Sequence, residues 1–181
     1  NWSWTLPAAA VTAATLVEHV TVTATDLAGN SSTATADINV DTEVTNPVVE
    51  AVTFSDDKVT AIALQQTDET YEFSALHANG SSTDMSYTKV SLVPGEDTYA
   101  FGASPVPDGS HLVVQAEDAA GNQSDTLVVL DDNATNAGTL DHAALGNFDI
   151  EAIELDYASN VELTLTEAQI AGLSDRSDTL T

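Results

Sequence analysis

The chain has 181 residues, of which 29 are Asp or Glu and three are basic (Lys58, Lys89 and Arg176), for a formal charge of −26. Charge of that sign and size repels nucleic acid and anionic membranes, so neither is expected as a partner. There is no cysteine and no apolar run of about 20 residues, which excludes a disulfide framework and a helical membrane insertion.

In chain order, residues 2–6 alternate as a strand, and 7–14 are an alanine-rich connector. Residues 17–25 form a long strand with Val20, Val22 and Ala24 on one face. A loop at 26–30 leads to a closing strand at 32–40. The acidic stretch 41–47 is a module boundary. Strands then follow at 48–54, 61–64, 70–73, 87–93, 99–101, 110–116 and 125–130, with turn signals at Asn79-Gly80 and Pro107-Asp108-Gly109. Residues 43–132 thus read as one complete antiparallel β-sandwich.

After a second acidic junction at 131–133, residues 148–155 alternate strictly and 161–165 form another strand. Thr166 N-caps a short helix that runs to Leu173, with Gly172 near its end. Residues 133–181 are therefore a partial β module with a short helix. They either stand alone or complete residues 1–42, which look like the C-terminal half of a module. Together these stretches make 91 residues, close to the size of one sandwich. The first residue lies inside a strand pattern, so the chain is expected to be an excised piece whose export signal is elsewhere.

One phrase occurs twice, 92 residues apart. Residues 18–30 and 110–122 each run an alternating strand into Asp-x-Ala-Gly-Asn, at Asp26 and at Asp118. A period near 90 residues is one sandwich rather than a solenoid unit, so the fold class is all-β in tandem modules. With 43% hydrophobic residues in alternation, a folded protein is expected rather than an acidic disordered chain.

A compact state this acidic calls for counter-charge, and Ca²⁺, a hard cation bound by oxygen ligands, is the expected cofactor. Its candidate ligands are Asp26 and Asn30 in the first copy of the phrase and Asp118 and Asn122 in the second. Asp41 and Glu43 at the first junction and Asp131 and Asp132 at the second complete the set. Asp-x-x-Gly-Asn is also a turn in its own right, Gly supplying positive φ and Asp bonding its own backbone, and the two roles are compatible. His19 and His111 hold equivalent places in the repeat and read as strand-edge residues. His77 and His142 sit in polar loops. No spacing of nucleophile, base or metal-binding histidines indicates an enzyme. Most aromatics read as core, but Tyr87, Tyr99 or Tyr157 on an exposed face could stack on a sugar or grip a peptide.

Trp2-Ser3-Trp4-Thr5-Leu6, then the run from Val20 through Asp26-Leu27-Ala28-Gly29-Asn30 to Ser32, then Val40-Asp41-Thr42 and Pro47, resembles the bacterial immunoglobulin-like repeats of giant repeats-in-toxin adhesins. Residues 113–122 repeat the signature. The tail, from Ile150-Glu151-Ala152-Ile153-Glu154-Leu155 through Leu163-Thr164-Leu165-Thr166 to Thr181, is similar to a segment near the C-terminal ligand-binding region of such adhesins. The resemblance implies an extracellular fibre on the bacterial surface, exported by a type I system and stiffened by calcium. Its implied partners are neighbouring modules of the same chain and a cell-surface glycan or a peptide or protein ligand. The middle module is more divergent than a plain spacer, which leaves room for a ligand site within it.

Overall fold

The computed structural model describes residues 15–132, 134–136 and 139–174. The expected strand at 2–6, its connector and the last seven residues lie outside them. The chain divides into two compact units, Asn1–Glu43 and Val44–Thr181.

In the first unit β1 (Thr15–Thr25) pairs antiparallel with β2 (Ser31–Asp41), from Thr15 opposite Asp41 to Thr25 opposite Ser31. This register places Leu16, Val20 and Val22 on the same face as Val40, Ala36 and Ala34. Cross-strand side-chain bonds line the hairpin: Thr23 to Thr33 at 3.1 Å, Thr25 to Ser31 at 2.8 Å, and His19 Nδ1 to Asp37 at 2.6 Å.

The second unit is built on two sheets. β3 (Val49–Ser55), β4 (Lys58–Gln65), β8 (Glu96–Ala100) and β7 (Thr88–Val93) form one, in the order β3-β4-β8-β7. The other, in the order β11-β10-β9-β5-β6, comprises β5 (Thr70–Leu76), β6 (Ser82–Asp84), β9 (His111–Glu117), β10 (Gln123–Val128) and β11 (Ile150–Glu154). Ile62, Leu64 and Tyr99 from the first sheet meet Tyr71, Phe73, Leu112 and Val114 from the second in one buried cluster. Phe73 sits at its centre, its ring 4.9 Å from Tyr99, 5.2 Å from Tyr87 and 5.6 Å from Phe101. Inside the first sheet the Asp97 carboxylate, 1% exposed, pairs with Lys89 Nζ at 2.7 Å and accepts from the Ser91 hydroxyl.

The second sheet is covered on its other face as well. Leu76, Val113, Leu127 and Val129 pack against Leu140, Ala144, Leu145, Ile150 and Leu173. This explains why β9 and β10 are buried almost without interruption instead of alternating. Residues 133–181, expected either as a separate partial module or as the completion of residues 1–42, supply through their described part a strand and a cover to the sandwich that precedes them. β11 lies parallel to β10, Thr126 opposite Ala152, so the sheet is mixed rather than purely antiparallel. A parallel partner needs a crossover of a dozen or more residues, and the stretch between the two strands provides it.

Three local expectations differ. Residues 161–165 join no sheet; they run against 134–136, with Glu162 N–H donating to the Ala134 carbonyl at 3.0 Å and the Asn136 side chain bracketing Thr164. β6 and a 3-10 helix at Ala143–Asn147 are additional elements. The helix α1 (Glu167–Leu173) forms where its cap signal stands. Gln169 N–H donates to Thr166 Oγ1, while the Gln169 side chain accepts from Thr166 N–H. No helix among the described residues is long and apolar enough to cross a membrane.

Replacing Phe73 by alanine leaves a void between the sheets and should cost about 3–5 kcal/mol. All four tyrosines lie in the second unit and both tryptophans in the first, so denaturant unfolding followed by near-ultraviolet dichroism in a Trp2→Phe/Trp4→Phe background reports on the second. A loss below about 1 kcal/mol would contradict the central placement of this ring.

Candidate functional site

The repeated phrase forms the same hairpin turn twice. Asp26 Oδ1 accepts from Ala28 N–H and Asn30 N–H, each at 2.9 Å, and Oδ2 accepts from the Asn30 side-chain amide at 2.9 Å. Asp118 repeats the pattern with Ala120 at 2.8 Å, Asn122 N–H at 2.9 Å and the Asn122 side chain at 2.7 Å. Gly29 and Gly121 hold φ of +86° and +88°, with open space where a Cβ would stand, so backbone conformation and not crowding requires glycine there. In both turns the side-chain amide of the Asn, aided by the backbone N–H groups, holds the carboxyl below its ordinary value of 3.8. These carboxylates are engaged by their own loops, and the Asn side chains serve the same turn.

At the first junction Asp41 Oδ1 accepts from Glu43 N–H at 3.3 Å, and both residues are exposed. The second junction is different. Asp131 and Asp132 line a cleft of about 400 Å³ together with Asp57, Asp108, Phe54, Leu130 and Tyr157. Three pieces of the second unit build it. The first is the two-residue turn Asp56-Asp57 between β3 and β4, in which both residues have positive φ, 49° and 61°. The second is the Pro107-Asp108-Gly109 turn ahead of β9. A pair of backbone bonds between Val59 and Val106, 3.1 and 2.9 Å, brings it beside the start of β4. The third is the chain leaving β10. The loop carrying Tyr157 closes the rim: its hydroxyl donates to the Val49 carbonyl at 3.1 Å, and Ser159 N–H donates to Asp132 at 2.6 Å. Burial pushes the Tyr157 hydroxyl up, and the carboxylates of Glu154, Asp156 and Glu50 add to the shift.

The sequence candidates thus separate into distinct groups. Asp131 and Asp132 are brought together with two aspartates, Asp57 and Asp108, that sequence reasoning had treated as turn residues or passed over. Their signal was available only as Asp in two tight turns, which by itself points to local backbone chemistry. Among the tyrosines, Tyr99 is 2% exposed and packed against Tyr71, Phe73 and Tyr87, so it cannot meet a ligand. Tyr87 is exposed, with its hydroxyl committed to the Tyr71 carbonyl at 2.8 Å. Tyr157 lines the cleft.

As donors for calcium the four cleft aspartates have the right chemistry, hard anionic oxygens on three short turns. Among the described residues, however, no three His, Asp or Glu side chains are gathered closely enough to hold a metal ion between them. Calcium held here would keep water or a ligand in its remaining positions. Compared with family models, curated proteins and solved structures, the chain gives no match.

Asp118 offers a direct check on the division between structural and available carboxylates. With the folded carboxyl below 3.8, its stabilisation is fully present above that pH and is lost as pH falls beneath it. Acid unfolding should therefore be steeper for the natural chain than for Asp118→Asn between about pH 4 and pH 2. Equal acid slopes would mean the turn does not depend on the charged form.

Proposed function

We propose that this chain is a calcium-stabilised segment of a large bacterial surface adhesin, extending or presenting a ligand-binding domain for attachment to host or substratum. The observation that carries the reading is the cleft, where Asp57, Asp108, Asp131 and Asp132 line one end of a sandwich in a chain with three basic residues. Concentrated carboxylates repel one another, and a divalent cation held by one or two of them and completed by water or ligand oxygens offsets that repulsion. The twice-used hairpin, 92 residues apart, supports an array of modules, and the surplus of acid suits a protein that works outside the cell where calcium is abundant. No catalytic role is assigned to any residue.

A second reading, a lectin-like or peptide-binding module, is favoured by one observation: Phe54 and Tyr157 line the same cleft as the aspartates. Apolar rings beside hard oxygen donors suit a polyhydroxylated or peptide ligand that reaches a bound cation through its own oxygens.

Thermal unfolding in millimolar calcium and then in excess EGTA tests the proposal. Calcium at about ten times its dissociation constant adds about 1.4 kcal/mol to the folded state, a rise in Tm of roughly 3–6 °C. The rise should disappear in Asp57→Asn/Asp131→Asn and persist in Asp118→Asn. An unchanged melt in EGTA would sink the proposal, leaving the acids as solvated surface.

A further inference from the structure

Two histidines that read from sequence as a strand edge and a polar loop are buried, and both hold the C-terminal cover to the sandwich. His111, 4% exposed, opens β9 opposite Leu76. Its Nδ1 accepts from Leu130 N–H at 3.3 Å, so the ring proton sits on Nε2 and is donated to the hydroxyl of Thr139 at 3.1 Å. Thr139 is itself fully buried. His142, 8% exposed, is the N-cap of the 3-10 helix Ala143–Asn147: its Nδ1 accepts from Ala144 N–H at 3.2 Å, and Nε2 donates to the His77 carbonyl at 2.8 Å.

In each ring the Nδ1 contact exists only while the ring is neutral, since both nitrogens of a protonated imidazole donate. A proton on Nδ1 turns an acceptor into a donor that faces a backbone N–H, and it places charge where little water reaches. The two rings act on one segment. Between Thr139 and the 3-10 helix lie Leu140, Ala144 and Leu145, which pack on Leu76, Val113 and Leu127 of the five-stranded sheet. We propose that residues 139–147 are an acid-released clasp over the outer face of this sheet, unlatched when His111 and His142 take up protons.

Among the described residues, His77 meets His142 through its carbonyl, Asp131 and Asp141 neighbour Leu130 and His142 along the chain, and Asp141 also accepts from Gln169 of α1. A step from about pH 7.5 to pH 5.5 spans the range in which a solvated imidazole, as in the released segment, gains charge, while solvated carboxylates stay ionised. Mild acid then uncovers apolar sheet surface without unfolding the sandwich. The inference does not depend on calcium or on the cleft.

Hydrogen exchange of the full chain at the two pH values, corrected for intrinsic exchange rates, tests it. Amides of Leu145 and Phe148, which bond within the clasp, should lose protection at least about tenfold at pH 5.5, while β4 and β8 stay protected. His142→Asn keeps a side-chain acceptor at the cap and has nothing to protonate, so its acid step should shrink, and His111→Gln/His142→Asn should abolish it. Equal protection at both pH values in the natural chain would overturn the proposal. So would an acid step of full size in His142→Asn, which decides the matter alone where the double variant fails to fold.

Discussion

The sheet formed by β11, β10, β9, β5 and β6 has to be kept dry on both faces, and the rest of the second unit follows from that. Leu112, Val113 and Val114 in succession are all fully buried, so β9 puts apolar side chains above and below itself. A sandwich covers one side. The other side needs a cover, and the chain beyond β10 provides it by crossing the sheet through Leu140, Ala144 and Leu145 before adding β11 at the edge. Burial of aliphatic side chains contributes about 1.5–3 kcal/mol each. The cover thus packs on one face of this sheet, and the core shared by the two sheets lies on the other. Polar groups trapped beneath such a cover have to be bonded, which is why His111 bonds the Thr139 hydroxyl and the His142 N–H donates to the Thr139 carbonyl.

Excess negative charge is the second constraint, and the fold distributes it by role. Asp26 and Asp118 turn their carboxylates onto their own backbone and fix two hairpins. Asp97 is buried against Lys89 and Ser91 and stays ionised there, the Lys89 contact holding its carboxyl below the usual range. Asp57, Asp108, Asp131 and Asp132 are collected at one rim. An acid's proximity in sequence to a junction says little about which of these roles it takes. The number of N–H donors in its own loop decides more: the two repeated turns present three each, whereas Asp41 receives one backbone N–H from Glu43.

Much of the local architecture was legible because its causes are local. Alternation with period two marks most strands, since neighbouring residues on a strand face opposite sides. The phrase around Asp26 and Asp118 specified its turn twice, through a glycine at positive φ and a carboxylate with amides within four residues. Thr166 and Gln169 specified a helix start by the same kind of short-range bonding. Residues 161–165 have the composition of a strand but lie against a short loop, because a strand needs a partner edge and alternation does not say where one is free.

From the sequence alone follow the β class, most strand positions, the two matched hairpins, the capped helix, and the −26 charge itself. The tertiary structure decided which strands share a sheet, that β11 runs parallel to β10, and that Tyr99 is core while Tyr157 lines a cleft. It also decided that Asp57 and Asp108 join Asp131 and Asp132, and that two histidines are buried as hydrogen-bond acceptors. The physical reason is distance along the chain. Turns and caps are closed by groups a few residues apart, but a cleft or a two-sided core is assembled from residues 50 to 100 apart, whose meeting depends on sheet order and register.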